Sequence, residues 1–191
     1  MTSDVSLNGV VDDLSSEAMP DLTEFAEEPG GAWTPGWYPA EIIEGYQTRK
    51  GKEFVTADSI SNKGDSRNLR LCLKVVSGDQ ERTMQENFNY RVTDFTPERM
   101  AFIKESRDEN KGVKGAWADR DAQRSSLAIA SLGQIQKAVG FGFKRTPDGA
   151  LVAAPLLGQK VDVRLGIDDK GYNVINAFAP AGSKTAKGKQ R

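Results

Sequence analysis

The 191-residue sequence predicts a mainly β domain, about residues 33–180, with a helical section inserted near its middle. The first observation is that apolar and polar residues alternate along several segments, as is typical of strands with one buried face. The second is that residues 96–140 instead repeat at helical spacing and carry capping residues at the expected ends. The third is the length, which fits one domain with a tail at each end.

Three predicted strands precede the helical section. A period-two pattern covers residues 38–48 and is followed by a basic turn at residues 49–52. The clearest alternation covers residues 68–76, where leucine or valine stands at every second position. A tight turn at residues 77–79 leads into a third strand at 81–91, so these last two strands are expected to form a β-hairpin.

Two helices are predicted between the third and fourth strands. Thr96 is a suitable N-cap for the first, because Pro97 follows at the first helical position. A charged, glycine-rich segment at residues 107–120 predicts an exposed loop. The second helix is expected over residues 121–139, with Gly140 at its C-terminal cap.

Two further strands, at residues 160–167 and 172–178, are expected to form a hairpin with a turn at 168–171. The predicted order is therefore β-β-β-α-α-β-β. This is the order of the OB-fold, a five-stranded Greek-key barrel, and we predict an OB-fold-like barrel with inserted helices. The alternative is a four- or five-stranded sheet with helices packed on one face.

The two ends of the chain carry opposite charge. Residues 1–29 contain eight acidic residues and no basic one, and we predict that residues 1–32 form an acidic, largely disordered tail. Residues 181–191 contain four basic residues and no acidic one, and are predicted to be a flexible basic arm. From residue 30 onward the chain carries 26 basic and 19 acidic residues, a net charge of +7.

A basic body attracts polyanions, and an acidic tail can compete with them for the same surface or recruit a basic partner. The alternative is that the tail only aids solubility.

The composition excludes several classes of enzyme. The chain has no histidine and one cysteine, Cys72, so no histidine-based triad, Cys/His zinc site or internal disulfide can form. It has no P-loop or dinucleotide-binding glycine motif. Asp119 with Asp121 and Asp168 with Asp169 are the only carboxylate pairs considered for catalysis or metal binding, and they lack a convergent second pair. We therefore expect a non-enzymatic protein without a metal or cofactor.

A single cysteine is typical of a reducing compartment, and no apolar run approaches the length of a membrane span. The sequence therefore predicts a soluble protein of the cytoplasm with no membrane partner.

Basic residues lie close in sequence to aromatic ones along the first half of the domain. Single-stranded nucleic acid is bound by such a mixture, because cations follow the phosphates and rings stack on bases. On an OB barrel the usual binding face is built from strands two and three and is framed by loops. The residues predicted to bind nucleic acid there are Tyr46, Arg49, Lys50, Lys52, Phe54, Lys63, Arg67, Arg70 and Lys74.

Within this set, Tyr46 and Phe54 are the predicted stacking rings, because they flank the basic turn, and the seven basic residues are predicted to contact phosphates. Arg70 and Lys74 would share the solvent face of the second strand with Cys72. The basic turn could equally be a solvated hairpin tip.

Two aromatic residues of the third strand leave alternatives open. Phe88 and Tyr90 fit either a core position or a stacking platform. If both face inward, the outer face of that strand carries only Thr83, Gln85, Asn87 and Asn89, which are neutral hydrogen-bonding groups.

The sequence resembles a bacteriophage family of presumed OB-fold single-stranded DNA-binding proteins that accompany replication and recombination genes. The matching segments are residues 36–44, 69–78, 127–140, 157–163 and 171–180. The resemblance implies an OB-fold and a non-enzymatic role on single-stranded DNA in the host cytoplasm. Single-strand binding proteins often carry their acidic, partner-recruiting tail at the C-terminus, whereas here it is N-terminal.

The combined prediction is a protein that binds single-stranded DNA with little sequence preference, and whose acidic tail is autoinhibitory or recruits a replication or recombination protein of phage or host. The alternative is a protein-interaction or assembly module on the same barrel, with no nucleic acid bound. A carboxylate-based nuclease is a distant third interpretation. The sequence leaves open a homo-oligomer and the choice between DNA and RNA.

Overall fold

The computed structural model describes residues 31–60 and 65–185, and a compact unit begins at Trp33. Its architecture is mainly β: a strongly curled half-barrel of antiparallel strands with two helices, as predicted. The elements are β1 Gly36–Ile43, β2 Gly45–Gln47, β3 Glu53–Val55, β4 Ala57–Ile60, β5 Ser66–Ser77, β6 Gln80–Arg91, α1 Pro97–Glu109, α2 Arg120–Val139, β7 Lys160–Ile167 and β8 Asn173–Pro180.

The sheet is organised around β5. One edge of β5 pairs with β6 along its whole length, and the other edge pairs first with β4 and then with β1. β1 also pairs with β7, which pairs with β8. The two outermost strands, β6 and β8, make no backbone pairing with each other within the described residues. Side chains and α2 close this gap instead: the rings of Phe88 and Phe178 lie 6.0 Å apart, and α2 packs on both strands.

The inner face of the sheet forms the core. Leu69, Leu71 and Leu73 are fully buried and pack with residues of α2 and β7. The predicted alternation along this strand is therefore confirmed. Phe88 and Tyr90 are also core residues, only 6% and 3% exposed, which settles the alternative left open by the sequence.

The two predicted caps, Thr96 at the start of α1 and Gly140 at the end of α2, are confirmed. The hydroxyl of Thr96 accepts the backbone N–H of Arg99 at 3.3 Å, with Pro97 at the first helical position. Asp119 caps α2 by accepting two backbone N–H groups at 2.9 Å. Gly140 ends α2 with φ of 82°, a left-handed conformation that favours glycine.

The first predicted strand is divided in two. β1 ends at Ile43, and the chain turns at Glu44 into a separate β2–β3 hairpin. Gly45 permits this turn, because a Cβ there would lie 2.4 Å from the backbone oxygen of Phe54. The sequence analysis also missed β3 and β4, which are short and polar and lack a clear alternation.

The predicted boundary of the basic arm is wrong for residues 181–185, which are held against the sheet. The carboxylate of Asp162 accepts hydrogen bonds from the backbone of Gly182, Lys184 and Thr185, so the ordered chain continues past Pro180. Most of the acidic tail, Lys63 and the last part of the arm lie outside the described residues.

None of the helices in the described part of the chain is both long and apolar enough to cross a membrane.

Candidate nucleic-acid interface

The β2–β3 hairpin lies against the outer face of β5 and covers Cys72. Thr56 ties the hairpin to the sheet: its hydroxyl donates to the backbone oxygen of Ile43 at 2.6 Å and accepts the backbone N–H of Cys72 at 2.8 Å. The expectation that Cys72 faces solvent is therefore wrong, since it is fully buried. Burial also raises the pKa of its thiol, against smaller opposing effects of Thr56 and Arg70, so the thiol stays protonated.

Four of the predicted site residues meet around one ring. The Phe54 ring lies 5.3 Å from the Tyr46 ring, 4.8 Å from the Lys52 ammonium and 5.5 Å from the Arg70 guanidinium. The register of the hairpin explains the ring pair, because Tyr46 and Phe54 are directly opposite each other. We call these four residues the Phe54 cluster. It places two aromatic faces and two positive charges on one surface.

The tyrosine of the Phe54 cluster is partly buried, which favours its neutral form. Burial raises the pKa of Tyr46, the nearby Cys72 raises it further, and Arg70 opposes both effects. The surface that this cluster offers is therefore a neutral phenol and phenyl ring flanked by two cations.

The tip of the hairpin extends the positive charge. Arg49 and Lys50 are exposed in the turn, which is closed by the hydrogen bond from Thr48 N–H to the backbone oxygen of Lys52, at 2.8 Å. The tip therefore presents two cations to solvent beside the Phe54 cluster, as the sequence predicts.

Lys74 lies on the same face of β5 as Arg70, four residues further along. Its side chain is 37% exposed and its ammonium lies 3.6 Å from the carboxylate of Glu81. This exposed pair lowers the local positive charge without blocking access to the lysine.

Arg67 lies away from this surface. Its guanidinium pairs with Asp58 at 2.7 Å and Asp148 at 3.2 Å, and its side chain is only 9% exposed. The same Asp58 accepts the Tyr90 hydroxyl at 2.5 Å, and burial followed by this hydrogen bond raises the pKa of Tyr90. Arg67 holds a buried network together, and its placement speaks against the predicted phosphate contact.

Amide side chains border the Phe54 cluster on the outer face of β5 and β6. The Asn87 oxygen accepts from Arg70 at 3.3 Å and from Asn68 at 3.5 Å. One side-chain oxygen each of Asn68 and Gln85 is buried and has no hydrogen-bond partner among the described residues. Because these two oxygens are buried, it is the exposed Asn87 that offers an amide to a ligand beside Arg70. Sequence reasoning left it out of the site because neutral amides carry no charge signal.

A second concave surface lies between β6 and α2. It is a groove of about 490 Å³ that includes Glu86, Arg124 and the exposed Leu127 in its lining. Burial raises the pKa of Glu86 to about 7, against the opposing hydrogen bond from the backbone of Asn87.

Three of the four carboxylates in the Asp119/Asp121 and Asp168/Asp169 pairs make structural contacts. Asp119 caps α2, and Asp121 pairs with Arg91 and Arg99, each at 2.6 Å. Asp168 accepts backbone N–H groups within its hairpin turn. Among the described residues no three acidic or thiol side chains form a group that could hold a metal ion.

No protein-family model, curated protein or solved structure matches this chain. The resemblance to the phage family stays a prediction from sequence.

Proposed function

We propose that this protein binds single-stranded DNA without catalysing a reaction, and that the Phe54 cluster is the centre of its binding surface. The observation that carries the proposal is the gathering of Tyr46, Lys52, Phe54 and Arg70 around one ring. Each of these residues belongs to the set predicted from sequence.

The chemistry of this surface suits an unpaired strand. A base has an apolar face that can stack on Phe54 or Tyr46, and base–aromatic stacking contributes about 1–3 kcal/mol by alanine substitution. Lys52 and Arg70 lie over the Phe54 ring, and a base that stacks there would displace them toward the phosphates on either side of it. In a duplex the bases are stacked on each other, so these rings would have no free base to bind.

The surrounding residues extend the binding surface. Arg49 and Lys50 at the hairpin tip and Lys74 on β5 would contact further phosphates. Lys63 belongs to the proposal on sequence grounds alone, and Arg67 is left out because its charge is used in the buried network. The exposed Asn87 would meet base edges.

The sequence resemblance suggests the cellular role. We propose that the protein acts in phage DNA replication or recombination within the host cytoplasm. Its acidic N-terminal segment would compete with DNA for the basic surface or recruit a replication or recombination protein.

A second candidate function is a protein-docking module. The observation that favours it is the groove between β6 and α2, where Leu127 is 64% exposed. The gathering of charge and rings on a different surface favours DNA as the primary ligand.

Fluorescence anisotropy with a labelled strand of about 30 nucleotides tests the proposal, because this length covers several OB-fold site sizes. A duplex of the same sequence is the control, and both are titrated at two salt concentrations. We expect binding that prefers the single strand and weakens steeply with salt. Absence of binding at low salt, in full-length protein and after removal of residues 1–29, would refute the proposal and favour protein docking.

A further inference from the structure

A second aromatic residue with cations around it lies on the outer face of the sheet, outside the Phe54 cluster. Trp37 of β1 is directly opposite Arg164 of β7, and both side chains point away from the core residues of these strands. The ammonium of Lys184 lies 5.9 Å from the Trp37 ring. We call Trp37, Arg164 and Lys184 the Trp37 cluster.

A buried carboxylate holds this cluster together. Asp162 is fully buried, and its oxygens accept backbone N–H groups of Gly182, Lys184 and Thr185 at 3.0, 2.8 and 3.0 Å. They also accept the Thr185 hydroxyl at 3.1 Å. Burial alone would raise the pKa of Asp162, but these donors outweigh it and lower the pKa, so the carboxylate stays charged.

The hydrogen bonds to Asp162 determine where the charges of this cluster lie. The neutral donors stabilise the negative charge of Asp162 and fix Lys184 beside Trp37. In sequence, the chain continues from there with Lys187, Lys189 and Arg191. Within the described residues Arg164 has no ion-pair partner, and the two cations of the cluster outnumber the one buried carboxylate of Asp162, so the cluster keeps a net positive charge.

The strand register relates the two clusters. Lys74, Glu41 and Lys160 stand side by side on β5, β1 and β7. Arg70 lies four residues from this row in one direction, and Trp37 lies four residues from it in the other. At a rise of about 3.3 Å per residue, the clusters are roughly 26 Å apart along the strand direction. Lys74 and Lys160 stand between them.

We propose that the Trp37 cluster is a second contact point for the same single strand, which runs from the Phe54 cluster across Lys74 and Lys160. This inference rests on the proposed function and extends its site to β1, β7 and the C-terminal segment. A single strand is flexible enough to follow the curled sheet between two points, whereas a duplex has a persistence length of about 150 base pairs.

The length of the oligonucleotide provides the test, because OB-folds bind about 4–16 nucleotides. A thymidine oligomer of about 4 nucleotides is shorter than the separation of the clusters and can occupy only one of them, whereas one of about 16 can span both. We expect W37A to weaken binding of the long oligomer about 5- to 150-fold, the range that stacking of one base provides. The double variant R164A/K184A should also weaken its binding, and should make the slope of log affinity against log salt shallower by about 1.4 for the loss of two phosphate contacts. Binding of the short oligomer should change little. K104A, which removes an exposed charge from α1, is the matched control.

A fluorescence measurement supports this test if W37A fails to fold. With Trp33 and Trp117 replaced by phenylalanine, Trp37 is the only tryptophan, and the long oligomer should quench its emission.

Binding of the long oligomer with no quenching and no loss in R164A/K184A would overturn this inference and leave the proposed function standing. No binding of any oligomer by the wild type would overturn both.

Discussion

Arg67 and Arg70 lie three residues apart on β5, and their replacement by alanine should have opposite consequences. An odd separation along a strand places the two side chains on opposite faces. Arg67 faces inward to Asp58, whose side chain is only 3% exposed, while Arg70 faces outward to Phe54. The pair therefore separates a structural arginine from a proposed DNA-binding one.

R67A should destabilise the fold strongly. Breaking a buried ion pair costs about 3–5 kcal/mol, because one charge is left without its partner. Asp58 keeps the Tyr90 hydroxyl at 2.5 Å, so we expect the lower end, about 3 kcal/mol. With a urea dependence of about 1–3 kcal/mol per molar, the midpoint of urea unfolding should fall by about 1–3 M.

R70A should instead change stability little, since it loses a cation–π contact of about 0.5–1 kcal/mol and an exposed hydrogen bond to Asn87. Its effect should appear in anisotropy titrations: the slope of log affinity against log salt should become shallower by about 0.7 for the loss of one phosphate contact. A structural role for Arg67 would be refuted if R67A kept its urea midpoint but lost DNA affinity. The proposed phosphate contact of Arg70 would fail if R70A bound DNA like the wild type.

Three further changes test other parts of the structure. G45A should distort the β2–β3 hairpin, because its Cβ would meet the Phe54 backbone oxygen. We expect urea unfolding to show a free energy of unfolding lower by about 1–3 kcal/mol, and DNA binding to be weaker. Wild-type stability and binding would contradict the proposed role of Gly45. The folded-state pKa of Glu86, about 7, exceeds its usual 4.5. The unfolded chain therefore loses this proton first, and the free energy of unfolding falls as the pH rises from about 4.5 to 7. The free energy of unfolding of E86Q, measured with urea, should therefore exceed that of the wild type by about 1–2 kcal/mol at pH 8, allowing for partial exposure, and should equal it at pH 4. An equal increase at both pH values would show that the charge of Glu86 is not its cause. Deletion of residues 1–29 should tighten oligonucleotide binding in anisotropy, and unchanged affinity would count against autoinhibition.

The long strands and the helices could be predicted because their signals are local. Leu69, Leu71 and Leu73 alternate with polar residues, and Thr96, Pro97 and Gly140 mark helix ends through their own backbone preferences. The short strands gave no such signal. In β4, Asp58 is buried only because Arg67 and Tyr90 reach it from β5 and β6, and such distant partners are not visible in a local pattern.

The candidate site was predicted in part for the same reason. Tyr46, Lys52 and Phe54 come together because they flank one hairpin, which the basic turn indicates. The misassignment of Arg67 was avoidable, since it has the same period-two phase as Leu69. The alternation along β1 also places Trp37 on the outer face. The cations beside it, Arg164 and Lys184, are distant in sequence, so a local pattern does not reveal the cluster.

Binding of single-stranded DNA at the Phe54 cluster can be observed residue by residue. The most direct measurement is the change in backbone amide NMR shifts of the isotope-labelled protein on addition of a thymidine oligomer. We expect the largest changes in residues 46–54 and at Arg70 and Asn87, with little change in α1. Changes confined to the groove between β6 and α2, or no changes at all, would contradict binding at the Phe54 cluster.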